Sequence, residues 1–480
     1  GLMMLGAKNV LFKVPHRVKH GYGLTPGLVD ELTDLKPDLI ITVDSGIACL
    51  PGIGKAKQLG YQVIVTDHHL PGETLPEADA IVNPNLPDDG FDSKALAGVG
   101  VVFYLLLAVR QALRTNGSPG ADADLSSLLD LVAIGTVADM VKLDANNRRL
   151  VRAGLARINQ GRCQPGVKAL AQISGLALGK ITETDIGFRI GPKINAAGRL
   201  EDMALGIECL LADDIDRALD IAESLHSINL QRQELQQDML DQAGQALEEA
   251  HALADASEKR ARILFGPSWH PGIVGLVASK MKDLWHRPVL VFAPSEPGSD
   301  ELRGSARSIP GFHIRDALAH VDALHPGLIA RFGGHAMAAG LTLTHQNLVR
   351  FNEAFESVAA AWIAEADLQS VFWTDGPLMR HEFNRDTALA IHAAGPWGQG
   401  FAYPLFDNVF DVMTWQVLKE KHLKLQLALP GMNSLVEAIH FNGYHGKPPP
   451  KRVRAVYELQ TNDFRERLSF QCLIRHMEPC

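Results

Sequence analysis

Three groups of side chains able to ligate metal stand directly after apolar runs. Asp44 follows Leu39-Ile-Ile-Thr-Val43, Asp67-His68-His69 follows Val63-Ile-Val-Thr66, and Asp139 follows the run Leu131 to Ala138. Carboxylate oxygen and imidazole nitrogen without thiolate suit a hard or borderline divalent ion such as Mn²⁺ or Mg²⁺. In an open parallel sheet, side chains just past the carboxyl ends of strands line one crevice, so groups distant in sequence converge there. Taken singly, an Asp-Ser-Gly is a turn and an Asp-His-His is a capped loop. Their repetition at the ends of apolar runs argues for a single site. The Pro71-Gly72 turn after His69 keeps both imidazoles on a loop.

The elements that must position these groups alternate in type. Val10-Leu-Phe-Lys-Val14, Leu39 to Val43, Val63 to Thr66 and Ala80-Ile-Val82 read as strands, and runs apolar on both faces suit a parallel sheet covered by helices. An α/β domain follows. Gly161 to Arg199 is rich in Gly and Pro and reads as irregular. Asp213-Asp-Ile opens a polar and apolar alternation that runs to about Arg262, with Asp213 or Asp214 as cap. That stretch forms either one helix of about fifty residues, spanning on the order of 70 Å, or a helical hairpin. Ile263-Leu-Phe and Val289-Leu-Val-Phe292 are strands again, with helices after His270 and His313, so a second α/β domain covers 263 to 365. From Phe406 the texture changes to period-two alternation, as in Leu423-Lys-Leu-Gln-Leu-Ala-Leu429, with short strands between Arg452 and Ile474. A small β-barrel is the natural reading.

Composition bounds the answer. A chain of 480 residues with 46% apolar and 21% charged residues is a multidomain folded protein, not a disordered one. The longest uncharged apolar run, Ala95 to Val109, is shorter than a membrane span and reads as a buried helix. The net charge of −9 provides no global positive field for nucleic acid, which leaves local basic patches. Five scattered cysteines form no C-x-x-C pair, which argues against a disulfide framework and for a reducing cytoplasm. The opening Gly1-Leu-Met-Met has no leader pattern, and the expectation is that the natural beginning lies upstream.

Val43-Asp-Ser-Gly46, Val65-Thr-Asp-His-His-Leu-Pro-Gly72 and Gly135-Thr-Val-Ala-Asp139 resemble successive motifs of the DHH phosphoesterase superfamily. Arg331-Phe-Gly-Gly-His-Ala-Met-Ala-Ala-Gly340 resembles the signature of its second, DHHA1-type domain. Asn83-Pro-Asn85, Leu96-Ala-Gly-Val-Gly100, Gly191-Pro-Lys-Ile-Asn-Ala-Ala-Gly-Arg-Leu200, Trp269-His-Pro-Gly-Ile-Val-Gly275, Gly304-Ser-Ala-Arg-Ser308 and Gly395-Pro-Trp-Gly-Gln399 follow in the order of the RecJ family of bacterial single-strand-specific DNA exonucleases. The resemblance covers nearly the whole chain. It implies a DHH domain over 1–212, a connecting helical segment over 213–262, a DHHA1 domain over 263–365, and a linker with a terminal OB-fold over 366–480.

The resemblance also implies roles. Asp44 would bridge two divalent ions, His68 and Asp139 would hold one of them, His69 would face the scissile phosphate, and Asp67 would stand behind the ligands. Paired ions activate a water and neutralise charge on the attacking and leaving oxygens. Gly333, Gly334 and His335 would approach phosphate. Arg199, Arg303 and Arg307, with Asn195, Ser305 and Ser308, are suitable donors to backbone or terminal phosphates, since guanidinium pairs bidentately with phosphate. Arg303 and Arg307 read as flanking a Gly-Ser turn.

In the barrel, Lys419, Lys421, His422 and Lys424, and Lys447, Lys451, Arg452 and Arg454, form two basic clusters, with Trp415 or Tyr457 for base stacking. Lysine-bearing hairpin edges account for those clusters equally well. His16, His20, His381 and His392 show no partner in the sequence. The implied function is metal-dependent 5′-to-3′ degradation of single-stranded DNA in repair and recombination, in the cytoplasm, with single-strand-binding protein as a partner and no membrane.

The family's first motif, an Asp-x-Asp pair, does not occur before Asp44. The expectation is a second ion held only by Asp44 and slow hydrolysis until an upstream segment is restored. The competing readings are a strand-binding scaffold without turnover and a phosphoesterase of short oligonucleotides.

Overall fold

The protein is described by a computed structural model covering residues 1–15, 20–252, 259–431, 434–464 and 467–480. Two units separate by their internal contacts: residues 1–194, 203–223 and 372–480 form the first, and 195–202 with 224–371 form the second.

In the first unit, α1 (Pro26–Leu32) opens on Pro26 with the Thr25 hydroxyl accepting from Leu28 N, a sequence-coded start. Parallel strands β1 (Leu39–Val43), β2 (Gln62–Thr66) and β3 (Ala80–Val82) lie side by side in chain order, with α2 (Leu50–Gln58) crossing between the first two. The register pairs Val43 with Thr66 and Thr66 with Val82, so all three strands end at one edge. Val63 and Val65 are fully buried, each worth roughly 1.5–3 kcal/mol. Val10 to Val14 forms no strand, and Val10, Leu11 and Phe12 are exposed. A β-prone composition makes no strand without a neighbour to pair with.

Helices α3 (Gly98–Thr115), α4 (Leu129–Ala138), α5 (Ala145–Asn159) and α6 (Pro165–Ile173) follow. The apolar run at 95–109 becomes α3 as expected, although only one face, with Val101, Phe103 and Leu106, is buried. Two expectations fail in this region. The run before Asp139 is a helix, not a strand, and the stretch from Gly161 to Arg199 is largely helical. There α7 (Glu183–Asp185), one π turn (Ile186–Ile190) and α8 (Gly191–Leu200) run on from one another, started by a Thr182/Asp185 capping box.

After α9 (Ala204–Leu211), the segment expected as one helix or a hairpin is one helix, α10 (Ile215–Ala252), of 38 residues. Of the two candidate caps, Asp214 accepts from Arg217 N at 2.8 Å. The second unit's sheet is built from β4 (Arg262–Phe265), β5 (Val289–Pro294), β6 (Glu301–Arg307), β7 (Arg331–Gly334) and β8 (Ala338–Thr344), ordered β4-β5-β6-β8-β7. Helices α11 (Val274–Trp285), α12 (Ile314–Leu324) and α13 (Leu348–Trp362) cover it. Phe292, Phe351 and Phe355 form the aromatic centre of its core.

The chain returns to the first unit through α14 (Arg385–Ala394) and a closed barrel. The barrel consists of β9 (Phe406–Leu418), β10 (His422–Ala428), β11 (Leu435–His440), β12 (Arg452–Phe464) and β13 (Arg467–Pro479), ordered β10-β11-β13-β12-β9. Ala388 of α14 packs in the barrel core with Leu425 and Tyr457. The loop 395–401 docks on the helical domain. Leu143 N donates to Gln399 O at 2.7 Å, Trp397 N donates to Glu183 Oε1 at 3.0 Å, Trp397 stacks on Phe401, and the Arg148 guanidinium lies 3.6 Å over the Phe401 ring. This docking accounts for the Gly395 to Gln399 motif.

Candidate metal centre and phosphate-binding strand

Asp44 and Asp67 begin the two loops at the sheet's carboxyl edge, with Asp44 N bonded to Thr66 O and Asp67 N to Val82 O. Asp44 has a φ of +58°, a left-handed conformation that Asp tolerates better than most residues. Its neighbour is the start of α3. A Cβ on Gly98 would stand 2.6 Å from Asp44 Cβ and 2.8 Å from its Cα, closer than side-chain carbons ever approach. Only glycine lets the helix and the carboxylate occupy this space. The Tyr22 hydroxyl donates to Asp44 O at 2.9 Å.

Asp67 is buried and bonded throughout. One oxygen accepts from Ile47 N at 3.0 Å, and the other accepts from His68 N at 2.7 Å and His69 N at 3.1 Å and lies 2.7 Å from His69 Nδ1. Burial opposes its ionisation, but the His69 ring and the backbone donors outweigh burial and hold the carboxyl below its ordinary value. The bond to Asp67 leaves the other ring nitrogen of His69 available to the site. Two residues of the Asn83-Pro-Asn85 motif complete the support: Asn83 Nδ2 donates to His69 O at 2.8 Å and Asn85 Nδ2 to His68 O at 2.6 Å.

His68 Nε2 lies 3.0 Å from Asp44 Oδ1 and 3.4 Å from Asp139 Oδ2. Ligand atoms of Asp44, His68 and His69 fall within 4.8 Å of one another. Asp139 reaches this group from the C-terminus of α4, where its N–H bonds Gly135 O. Burial, and then the Asp44 carboxylate, raise the Asp139 carboxyl. For His68, burial opposes protonation, yet the Asp44 and Asp139 carboxylates raise its pKa above the ordinary value. Asp44 Oδ1 and His68 Nε2 are buried, and despite their proximity neither has a hydrogen-bond partner among the described residues. Two orphaned ligand atoms directed at one point, with a second carboxylate beside them, fit a divalent cation.

In the second unit, Arg303, Ser305 and Arg307 alternate along β6 and therefore share a face, while Leu302 and Ala306 point into the core. The expected Gly-Ser turn is a strand interior. Gly304 is there because a Cβ would strike the Phe292 ring at 2.3 Å, not because the chain reverses. Arg307 donates to Ser305 Oγ at 2.9 Å, and both side chains lie against Gly275 in the first turn of α11. Ser308 is a correction: it is buried, and its hydroxyl donates to Phe312 O, which leaves it no capacity for substrate. Gly333 and Gly334 end β7, and His335 stands exposed at the hairpin turn, its N–H bonded to Ala338 O. Asn195 and Arg199, a helical turn apart on α8, group with this second unit, where Arg199 donates to Gly272 O at 3.3 Å.

In the barrel, Trp415 is partly exposed and stacks on Tyr444. Tyr457, the other aromatic offered for stacking, is fully buried, with its hydroxyl on Asn408. Lys419, Lys421, Lys447 and Lys451 are exposed, whereas Lys424, Arg452 and Arg454 approach Glu437, Asp411 and Asp407. Of the histidines without a sequence partner, His20 pairs with Glu31 at 2.9 Å, and His16 lies outside the described residues.

A short parallel sheet whose strand ends present Asp and Asp-His-His, with a further Asp from a helix, defines a DHH phosphoesterase. The family models agree: the DHH family N-terminal domain matches residues 2–136, the DHHA1 domain 259–361, and the RecJ OB domain 374–476. The chain belongs to the RecJ family. It is 44% identical over 490 residues to the single-stranded-DNA-specific exonuclease RecJ of Dickeya dadantii, covering 100% of this chain and 84% of that protein. Against the Escherichia coli RecJ it is 44% identical, covering 99% and 83%. The crystal structure of Thermus thermophilus RecJ in complex with Mn²⁺ superposes with a TM-score of 0.79 at 29% identity, covering 95% of this chain and 64% of that one. A Mg²⁺ complex of the same protein matches with a TM-score of 0.73.

Proposed function

We propose that this chain is a divalent-metal-dependent exonuclease that degrades single-stranded DNA from the 5′ end. The observation that carries this reading is the convergence of Asp44, His68 and Asp139 around two orphaned ligand atoms. A bound divalent ion supplies Lewis-acid charge and lowers the pKa of water, which a phosphodiester requires more than a covalent nucleophile. The chain's own residues arrange the rest. Asp67 and the two asparagines hold both imidazoles in place, and His69 presents its free ring nitrogen toward the phosphate. The defining test is Mn²⁺-dependent release of mononucleotides from a 5′-phosphorylated single strand, with the matching duplex resistant.

The face of β6 supports a 5′ polarity. Ser305 and Arg307 stand beside the first turn of α11 and Arg303 shares their face of β6, an arrangement of three donors suited to a terminal phosphate dianion. Replacing Arg307 by glutamine is expected to lower kcat/KM on a 5′-phosphorylated strand roughly ten- to hundredfold, the effect of losing charge-assisted hydrogen bonds. The same change should have little effect on a 5′-hydroxyl strand. Steady-state kinetics on both strands checks this, and equal losses would place Arg307 elsewhere.

The barrel supplies length. Lys419 and Lys421 at the β9–β10 turn, with the Trp415–Tyr444 pair, suit a phosphate backbone and unpaired bases. The Lys419→Gln, Lys421→Gln double variant should reduce the salt slope of binding to a long strand by about 1.4, at about 0.7 per released counterion. Turnover of a dinucleotide should be unchanged. Charge changes test this better than deleting the barrel, because loop 395–401 is docked on α5. A role in repair and recombination, a cytoplasmic location and an encounter with single-strand-binding protein complete the proposal. All five cysteines are free thiols, which accords with a reducing compartment.

A further inference from the structure

Asp139, delivered by α4, is followed by neither helix nor strand until α5 begins. Met140 turns the chain at a φ of +60°, a left-handed conformation that such a residue keeps only where its surroundings impose it. The turn 139–143 is therefore placed from outside. Lys142 O accepts from Asn147 Nδ2 at 2.8 Å, and the buried Leu143 donates its N–H to Gln399 O at 2.7 Å. A Cβ on Gly398 would stand 2.8 Å from Leu143 Cδ1, and one on Gly400 would stand 3.1 Å from Lys142 Cγ, so the backbone of 398–400 lies directly against this turn. The same loop also reaches the other side of the ligand. Trp397 N donates to Glu183 Oε1 at the start of α7, and the path from α7 to α8 packs at Gly187 and Gly191 on Val137 and Ala138, the last turn of α4. Trp397 then ties the loop to the barrel: its Nε1 donates to Ile391 O of α14 at 3.1 Å, its ring stands 5.5 Å from that of Tyr403, and the Tyr403 hydroxyl donates to Leu459 O of β12 at 2.9 Å.

Attachment of a barrel does not require its linking loop to meet the catalytic domain at both flanks of a metal ligand. We propose that loop 395–401 is a clasp that fixes the Asp139 turn, with Trp397 and Gly398 as positioning residues of the metal centre. The proposal rests on the reading of Asp44, His68 and Asp139 as an ion site. A loop bonded to α7 on one side and to the 139–143 turn on the other holds the backbone of Asp139 from two directions. Ligands act only when their own supports lock them, and a group displaced by the order of an ångström loses about a hundredfold in rate. The segment that joins the barrel to the catalytic domain thereby acts on the chemistry and not only on strand capture.

The test uses the full chain with Gly398→Val, Leu143→Ala and the two together, each checked for folding by circular dichroism. Valine at 398 overfills the space of the Leu143 side chain, and alanine at 143 gives that space back. Gly398→Val is expected to weaken Mn²⁺ binding by calorimetry about tenfold and to lower kcat about tenfold on a dinucleotide and a long strand alike, with KM within about twofold of the parent. The double variant should recover both quantities to within about threefold. Unchanged Mn²⁺ affinity in Gly398→Val would overturn the proposal, as would a double variant that recovers nothing. A loss confined to the long strand would also overturn it and make the loop a tether for the barrel alone. If Gly398→Val does not fold, Phe401→Leu carries the test, since it removes the ring that Arg148 and Trp397 hold. That change should weaken Mn²⁺ binding at least about threefold, and an unmoved affinity would overturn the clasp. The expected Mn²⁺ pattern in a chain that cleaves no strand would overturn the nuclease reading and leave the clasp intact.

Discussion

Asp139→Ala is expected to weaken Mn²⁺ binding by more than an order of magnitude and to lower the nuclease rate roughly a hundred- to a thousandfold, the usual cost of removing one electrostatic element from a catalytic site. Asp139 is the only predicted ligand delivered by a helix, and its Oδ2 lies 3.4 Å from His68 Nε2. Without it, His68 faces a single carboxylate, and a cation in the site loses half of the anionic charge on that side. The fold should tolerate the change, because Asp139 follows the last residue of α4 and its backbone bond to Gly135 is independent of the side chain. Titration calorimetry with Mn²⁺, alongside thermal melting with and without the ion, separates the two effects. Ion binding to the native state raises the melting temperature of the parent chain and should do so far less in the variant. Unchanged Mn²⁺ affinity would remove Asp139 from the site.

Gly98→Ala is the second large effect, and its sign is informative. Gly98 is the first residue of α3, where alanine gains up to about 1 kcal/mol in helix propensity over glycine. If propensity governed, the variant would be the more stable protein. The added methyl instead meets the Cα and Cβ of Asp44, held at a φ of +58° with its N–H bonded to Thr66 O. Backbone cannot yield there as a flexible side chain would, so the strand end must shift, at about 1–3 kcal/mol. Displacing a metal ligand by the order of an ångström costs about a hundredfold in rate. The expected result is therefore a lower melting temperature, weak Mn²⁺ binding and activity down about a hundredfold, with far-ultraviolet circular dichroism unchanged. A more stable chain with full Mn²⁺ affinity would show that α3 and Asp44 accommodate each other.

These two positions also mark where the sequence is readable and where it is not. Asp44 and Asp67 to His69 were legible because the short β-rich runs before them could only be parallel strands with a common exit. Asp139 was reached for a partly wrong reason. The apolar run from Leu131 to Ala138 has a length at which periodicity does not separate a buried strand from a helix segment, and the structure makes it part of the helix Leu129–Ala138. The ligand survived the error because a helix C-terminus delivers a side chain to a sheet edge as well as a strand does. Gly98, Asn83 and Asn85 stood in recognised motifs, but their work is contact and hydrogen bonding with residues 14 or more positions away. No periodicity encodes such pairings. Gly304 misled because glycine marks close approach as readily as a turn. Ser308 and Tyr457 misled because a polar group that looks available in sequence has already found its partner in the core. The barrel was legible from alternation, whereas only the apolar runs at Ile263 to Phe265 and Val289 to Phe292 revealed strands of the second sheet.

The loop 395–401 fixes the order in which this protein becomes whole. The metal ligands leave the ribosome within the first third of the chain. Leu143, whose N–H bonds Gln399, and Arg148 of α5, which covers Phe401, are synthesised directly after them. Their partners are made only after the entire second unit, residues 224–371, has been synthesised. Until then the nascent catalytic domain carries an unmatched face, the condition that recruits chaperones to growing chains. A messenger cut short after the second unit would leave a polypeptide with every predicted metal ligand in place and its first folding unit unfinished.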